Sequence, residues 1–322
     1  MIIGGGLQVL FYLLILFLAE KSIEWIHLLG LCFGIGSGFY WLSVNVLSVD
    51  LTNQENRTWF NGVNGLFGSL SQMIGPFMAG ILVSKLPNLT GYKVIFMLSL
   101  LLFIVTIVLS MLLPVIRLKN RFQWKKMYQV NRNKEWRQLT YAFMGLAFRD
   151  GVLSFVILLW VFVVTSSEAI VGNFAFLTTL LSVITYYVVG KFTKNTSQKW
   201  LLVIGNIGLS AAIFSLIIDV NWFVLLIYGI ISAICIPLFE VPFNTMSLNN
   251  IANLDENGLT RVELVTSREI ALSAGRITSV GLLVIVYSSL QSELLLQYFL
   301  GVVIVVGMTP LLFIRRMKEV RN

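Results

Sequence analysis

Apolar stretches of about twenty residues follow one another along the whole chain, and this constrains it more than any other feature. A hydrocarbon core of ~30 Å is crossed by about 20 helical residues, and inside it every backbone group must be satisfied within the protein. Ten stretches have that length: 3–19, 26–48, 60–84, 92–115, 141–165, 168–189, 200–218, 222–246, 267–289 and 293–314. They are not the ten-residue alternating segments of an outer-membrane barrel. Only 12% of the 322 residues are charged and the mean hydropathy is +0.86. A soluble domain carries roughly 25% charged residues, so solvated faces on every element are excluded. The expected fold is an all-α polytopic membrane protein with ten transmembrane helices.

Lysine and arginine set the orientation. With ten spans, both termini share one side. Of the 23 bases, 17 fall there: Arg57; Arg117, Lys119, Arg121, Lys125, Lys126, Arg132, Lys134 and Arg137 in the one long connection; Lys191, Lys194 and Lys199; Arg261; and Arg315, Arg316, Lys318 and Arg321. The opposite side holds Lys21, Lys85 and Lys93. Both termini and the long loop are therefore expected in the cytoplasm of a bacterial cell, with the chain in its cytoplasmic membrane. The net charge of +8 is a topology signal and not a nucleic-acid surface. Trp25, Trp59, Trp200 and Trp222 fall near span ends, as interfacial tryptophans do.

Cys32 and Cys235 lie about 200 residues apart, no CxxC or Cys/His cluster occurs and the single histidine is His27, which leaves no disulfide framework and no metal site. The Asn-x-Ser/Thr matches at Asn56 and Asn195 fall on the cytoplasmic side, so glycosylation is not implied. No phosphate-cradling loop and no catalytic constellation is present. No cofactor and no enzyme activity are expected; the partners are the lipid bilayer and a small solute.

The chain also repeats itself. Residues 2–7, Ile-Ile-Gly-Gly-Gly-Leu, match 203–209, Val-Ile-Gly-Asn-Ile-Gly-Leu, and the match continues to Arg57 and Arg261 at an offset of about 200. Spans one to four thus repeat spans seven to ten, whereas spans five and six have no first-copy counterpart. The repeat has six helices, and this chain has four plus six, with Met1 where the loop after two missing helices would end. The expected organisation is an incomplete N-terminal bundle over 1–115, a basic cytoplasmic linker over 116–139 and a C-terminal six-helix bundle over 140–322.

The loop Asp50-Leu-Thr-Asn-Gln-Glu-Asn-Arg57 leads to Asn61-Gly62, and the next span carries Gly62, Ser71, Gly75-Pro76 and Ala79-Gly80. The first resembles the acidic-to-arginine loop after the fourth helix of the major facilitator superfamily. The second is similar to the Gly-Pro motif in the fifth helix of that family's antiporters, with two glycines replaced. Gly34, Gly36 and Gly38 resemble the fourth-helix glycine series, but Gly30 stands where proton-coupled exporters carry an arginine. The family's loop between helices two and three would lie before Met1, and its second-half echo, Gly190-Lys191-Phe-Thr-Lys194, is degenerate. The resemblance implies two six-helix halves and secondary transport of a small solute by alternating access. Protons or sodium are the candidate coupling ions, and the Gly-Pro motif favours export. Small residues at this spacing let helices approach, and Pro76 is expected to kink its span.

Three arginines remain inside spans: Arg149, Arg268 and Arg276. A central charge costs about 2.5–3.5 kcal/mol on insertion scales, so each needs a partner or a watery cavity. At 100° per residue Arg268, Gly275 and Ser279 share one face, with Glu269, Ser273 and Arg276 on the next stripe, opposite Ile270, Ile277 and Val284. Depth counting predicts Asp150 paired with Arg276 near the midplane. It also predicts Glu240 paired with Arg268 nearer the cytoplasm, level with Glu269. Arg149 and Asp150 point about 100° apart and are not expected to pair with each other. Pro237 and Pro242 flank Glu240 and are expected to break its helix. Tyr40, Trp41 and Asn45 occupy the matching region of the second span, as a cavity wall or as packing, and Gln72 is a further candidate. The charges line a substrate or ion pathway, or hold the half together as static pairs. Two other functions stay open: a non-transporting truncated or decayed transporter product, and a lipid flippase of the same fold.

Overall fold

The computed structural model describes residues 1–86, 90–113, 122–130, 132–255, 260–290 and 293–316. Its helices are α1 (Ile2–Leu18), α2 (Ile26–Leu51), α3 (Arg57–Lys85), α4 (Thr90–Met111), α5 (Trp124–Val130), α6 (Lys134–Thr165), α7 (Glu168–Phe192), α8 (Gln198–Ile218), α9 (Trp222–Leu254), α10 (Arg261–Leu290), α11 (Glu293–Gly307) and α12 (Thr309–Arg316). No strand occurs among the described residues. Nine helical segments there are long and apolar enough to cross a membrane, and α1 adds a shorter apolar helix of 17 residues. These account for the ten apolar stretches of the sequence. Of the expected loop and linker positions, Arg117, Lys119, Arg121, Lys318 and Arg321 lie outside the described residues.

Local chemistry sets several helix ends. The Asn133 side chain accepts from the amides of Glu135 and Trp136 at the start of α6, and Asn221 caps α9 through the amide of Val224. Ser166, at φ 49°, ends α6 in a left-handed turn. The last expected span divides at Met308, between α11 and α12, where Pro310 cannot donate into a continuing helix.

The chain forms two compact units: Met1–Leu51 with Ile74–Arg121, and Thr52–Met73 with Phe122–Asn322. In the first, α1 packs on α2 and α4. A Cβ on Gly4 would stand 2.8 Å from the Gly36 carbonyl, so the two backbones cross in direct contact. In the second, α8 crosses α9 in the same way: a Cβ on Gly205 would stand 2.8 Å from the Cys235 carbonyl and 2.7 Å from the Phe239 amide. Gly4 and Gly205 are matched by the repeat, and the two crossings are of the same kind.

The second unit holds most of the buried core. Trp136, Phe143, Leu202, Leu209, Phe239 and Phe243 are fully enclosed. The Trp136 indole donates to Ser267 Oγ at 3.2 Å, tying α6 to α10, and the two helices meet again where Gly275 lies against the Met144 carbonyl. Ile270, Ile277 and Val284 face outward on α10, opposite this contact, as their stripe required.

Candidate functional site

The charged residues inside the spans of the second unit lie on α6, α9 and α10. Arg149 is 1% exposed. Its Nε donates to Asp150 Oδ1 at 3.0 Å, its guanidinium lies 5.1 Å from the centre of the Phe239 ring, and its stem packs against Gly307. This corrects the expectation that Arg149 and Asp150 do not pair. Helical angles fix where Cβ points, but a four-atom stem can fold back along the helix to a neighbouring carboxylate. The Asp150 side chain stays 43% exposed.

Asp150 and Arg276 do come together as backbones but not as an ion pair. A Cβ on Gly151 would meet Ser279 Oγ and stand 3.5 Å from Arg276 Cα, yet the Arg276 side chain is exposed and Asp150 is bound to Arg149. Glu240 likewise does not pair with Arg268. Its Oε2 accepts from the Tyr186 hydroxyl at 2.5 Å, and the fields of Asp150 and Arg149 reach it. Arg268 is buried one turn further along α9, where it donates to Asn244 Oδ1 at 3.1 Å and stacks 5.0 Å from the Phe143 ring centre. Glu240 is therefore level with the Arg149–Asp150 pair and not with Arg268. Glu269 is half-buried beside Arg268.

The two prolines of α9 do not break it. The helix runs unbroken through Pro237 and Pro242, correcting the expected interruption. Proline at 237 deprives the Ala233 carbonyl of its helical donor, and Ser182 Oγ of α7 donates to that carbonyl at 3.3 Å. Neighbouring hydroxyls commonly restore such groups in membrane helices.

The N-terminal half of α3 packs inside the same unit. Arg57 is 3% exposed and donates to Asn249 Oδ1 at 2.7 Å and to Thr52 Oγ1 at 3.0 Å. Asn61 Nδ2 donates to Thr245 Oγ1 at 2.9 Å, and Gln198 Nε2 to Thr58 Oγ1 at 2.9 Å. Gly62 lies directly on Gly190, whose absent Cβ would stand 2.8 Å from Gly62 Cα. Only Gly62 of the Gly-Pro series makes a close approach. At Gly75 and Gly80 the space a Cβ would need is open, and α3 continues through Pro76. In the second copy Arg261 bridges to Asp255 Oδ2 at 2.8 Å.

Tyr40, Trp41 and Asn45 belong to the first unit, as does Asp50. The rings of Tyr40 and Trp41 meet edge-on at 5.7 Å, Trp41 is 53% exposed and Asn45 is half-buried. Gln72 is exposed on α3. Sequence reasoning missed Tyr186, Asn244 and Ser182. A hydroxyl inside an apolar span is the one signal Tyr186 carries, since a buried phenol seeks a partner. Among the described residues no group of three His, Cys, Asp or Glu could hold a metal.

The family profile of the Major Facilitator Superfamily matches residues 1–246. The chain belongs to the Major Facilitator Superfamily. It is thus a multi-pass membrane protein of a transporter family. The chain is 34% identical over 284 residues to YqgE of Bacillus subtilis (strain 168), covering 88% of itself and 66% of that protein. It is 36% identical over 95 residues to a Geobacillus stearothermophilus protein in the sodM 3' region, covering 30% of itself and 44% of that one. The chain thus spans less than the full length of both relatives. Among solved superfamily folds, a bacterial homologue of the iron transporter ferroportin, in its outward-facing state, aligns with a TM-score of 0.72 at 19% identity, over 97% of this chain and 81% of that one. The transporter FucP, in the outward conformation, aligns at 0.74 with 14% identity, over 99% and 82%. The human organic anion transporter MFSD10 aligns at 0.76 with 13% identity, over 96% and 75%.

Proposed function

We propose that the chain is a secondary transporter that moves a small solute by alternating access. The solute path would run beside Arg149, Asp150, Glu240 and Arg276. One observation carries this reading: two carboxylates and a buried arginine gather on α6 and α9, inside the spans, in a chain of a transporter family. Charges there are costly and accompany substrate and ion pathways. Asp150 and Arg276 keep their side chains open on the unit's surface, where a solute could meet them.

The N-terminal half of α3 supplies a contact able to break during a cycle. Side-chain hydrogen bonds from Arg57, Asn61 and Gln198 hold it to α8 and α9. Each contributes about 0.5–3 kcal/mol, small enough to be exchanged for contacts of another state. We place this contact on the cytoplasmic side, with both termini, in a bacterial cytoplasmic membrane. Residues 116–139 would form the basic linker between a four-span and a six-span bundle. Export is the favoured direction, on the resemblance of Gly75-Pro76 to the antiporter motif.

The test is a panel of single sugars, amino acids, organic anions and organic cations, applied to the purified chain. A solute that binds the folded state raises its melting temperature by mass action. At least one solute should do so for the parent and fail to do so for Asp150→Asn. No shift by any solute, or equal shifts in both proteins, would remove the cluster from the solute path.

A further inference from the structure

We infer that Tyr186 transmits the protonation state of Glu240 to the packing of α3 against α7. The inference rests on the transporter reading above and names a coupling device within the same site.

Tyr186 touches both partners at once. Its ring occupies the space a Cβ of Gly65 would need, with the ring's Cγ at 2.9 Å from that position. Its hydroxyl donates to Glu240 Oε2 at 2.5 Å. One turn further along α7, Gly190 lies on Gly62 of α3. Beyond that, the Trp59 and Tyr187 rings meet edge-on at 6.0 Å, and the Arg57, Thr58 and Asn61 hydrogen bonds follow. The α3 contact therefore runs without a gap to the ring whose hydroxyl reads Glu240.

Glu240 is the carboxylate of this site held by a neutral partner. Arg149 is committed to Asp150, and Glu240 enters no ion pair among the described residues. The groups facing it are Arg149 and Asp150 from α6 and Tyr186 from α7. Arg268 of α10 is engaged one turn away with Asn244. Tyr228, on α9 itself, lies in the fields of Arg149 and Asp150. Two carboxylates thus share one nearby cation. When Glu240 takes one proton from the aqueous side, it loses its charge and the Tyr186 bond becomes neutral. A charge-assisted bond is roughly twice as strong as a neutral one. Protonation therefore loosens the hold on the ring, the ring leaves its cradle at Gly65, and α3 separates from α7. Loss of the proton restores the contact.

Spin labels at Glu55→Cys and Lys194→Cys, both exposed positions, report this separation by pulsed electron resonance in a Cys32→Ala, Cys235→Ala background. Between about pH 8 and about pH 5 the ratio of long to short distances should rise about fivefold or more. Tyr186→Phe keeps the ring and removes the hydroxyl, so its ratio should no longer depend on pH. Glu240→Gln should give the long distance at both pH values. A parent protein with no pH response, or a Tyr186→Phe protein that responds like the parent, overturns the inference. Panel-solute uptake measured on the same proteins separates the two readings. Uptake without a pH-dependent distance removes the coupling alone, and a pH-dependent distance without uptake removes the transporter reading alone.

Discussion

The Tyr186 hydroxyl donates to Glu240 Oε2 across 2.5 Å, joining α7 to α9 beside the buried Arg149. This bond gives a half-buried carboxylate a partner that carries no positive charge. Glu240 can therefore exchange its proton without breaking an ion pair.

Removing Asp150 should expose how dependent Arg149 is on it. Asp150→Asn leaves a guanidinium that is 1% exposed beside a neutral amide. Breaking a fully buried pair costs about 3–5 kcal/mol, but Asp150 is 43% exposed and water screens the pair, so about 1–2 kcal/mol is expected. Arg149→Met, which removes the charge and keeps the stem, should cost less than Asp150→Asn. Thermal unfolding in detergent compares the two, and the reverse order would show that the pair is not the arginine's main support.

The matched crossings α1–α2 and α8–α9 make a prediction with an internal control. Gly205→Ala would drive a methyl against the Phe239 amide and Cys235 carbonyl, backbone atoms that no rotamer change can move. A cost of about 1–3 kcal/mol is expected, with a similar one for Gly4→Ala. Gly172, on α7, has open space, so Gly172→Ala should stabilise by up to about 1 kcal/mol through helix propensity. Melting temperatures that fall equally for all three would deny the close crossings.

Ser182 should matter because of a proline on another helix. Ser182→Ala leaves the Ala233 carbonyl without its donor, at a cost of about 0.5–1.5 kcal/mol. In Pro237→Ala the helix restores that donor itself. Ser182→Ala should then cost measurably less, and a double-mutant cycle reads the difference. Strict additivity would show that the serine does not serve that carbonyl.

Much of the fold was legible because membrane physics writes it in lengths. Span length marked the helices. Pairing was less legible. Counting turns correctly set Ile277 outward and Gly275 inward, since both follow from Cβ direction. It missed Arg149 with Asp150 and Glu240 with Tyr186, because the end of a long side chain is placed by its neighbours and not by its own helix. The helix through Pro237 and Pro242 was illegible for the same reason: its support comes from Ser182 on α7, outside the local sequence.

The most direct test of the charged cluster as the transport path is solute uptake into inverted membrane vesicles. The solutes are the panel members that raise the melting temperature of the chain, and the vesicles carry the parent protein, Glu240→Gln or no protein. The parent should accumulate at least one of these solutes above empty vesicles. Glu240→Gln, present at equal amount and still folded, should do so about tenfold more slowly. Equal uptake by the parent and Glu240→Gln, or uptake by the parent no faster than in empty vesicles, would contradict the account.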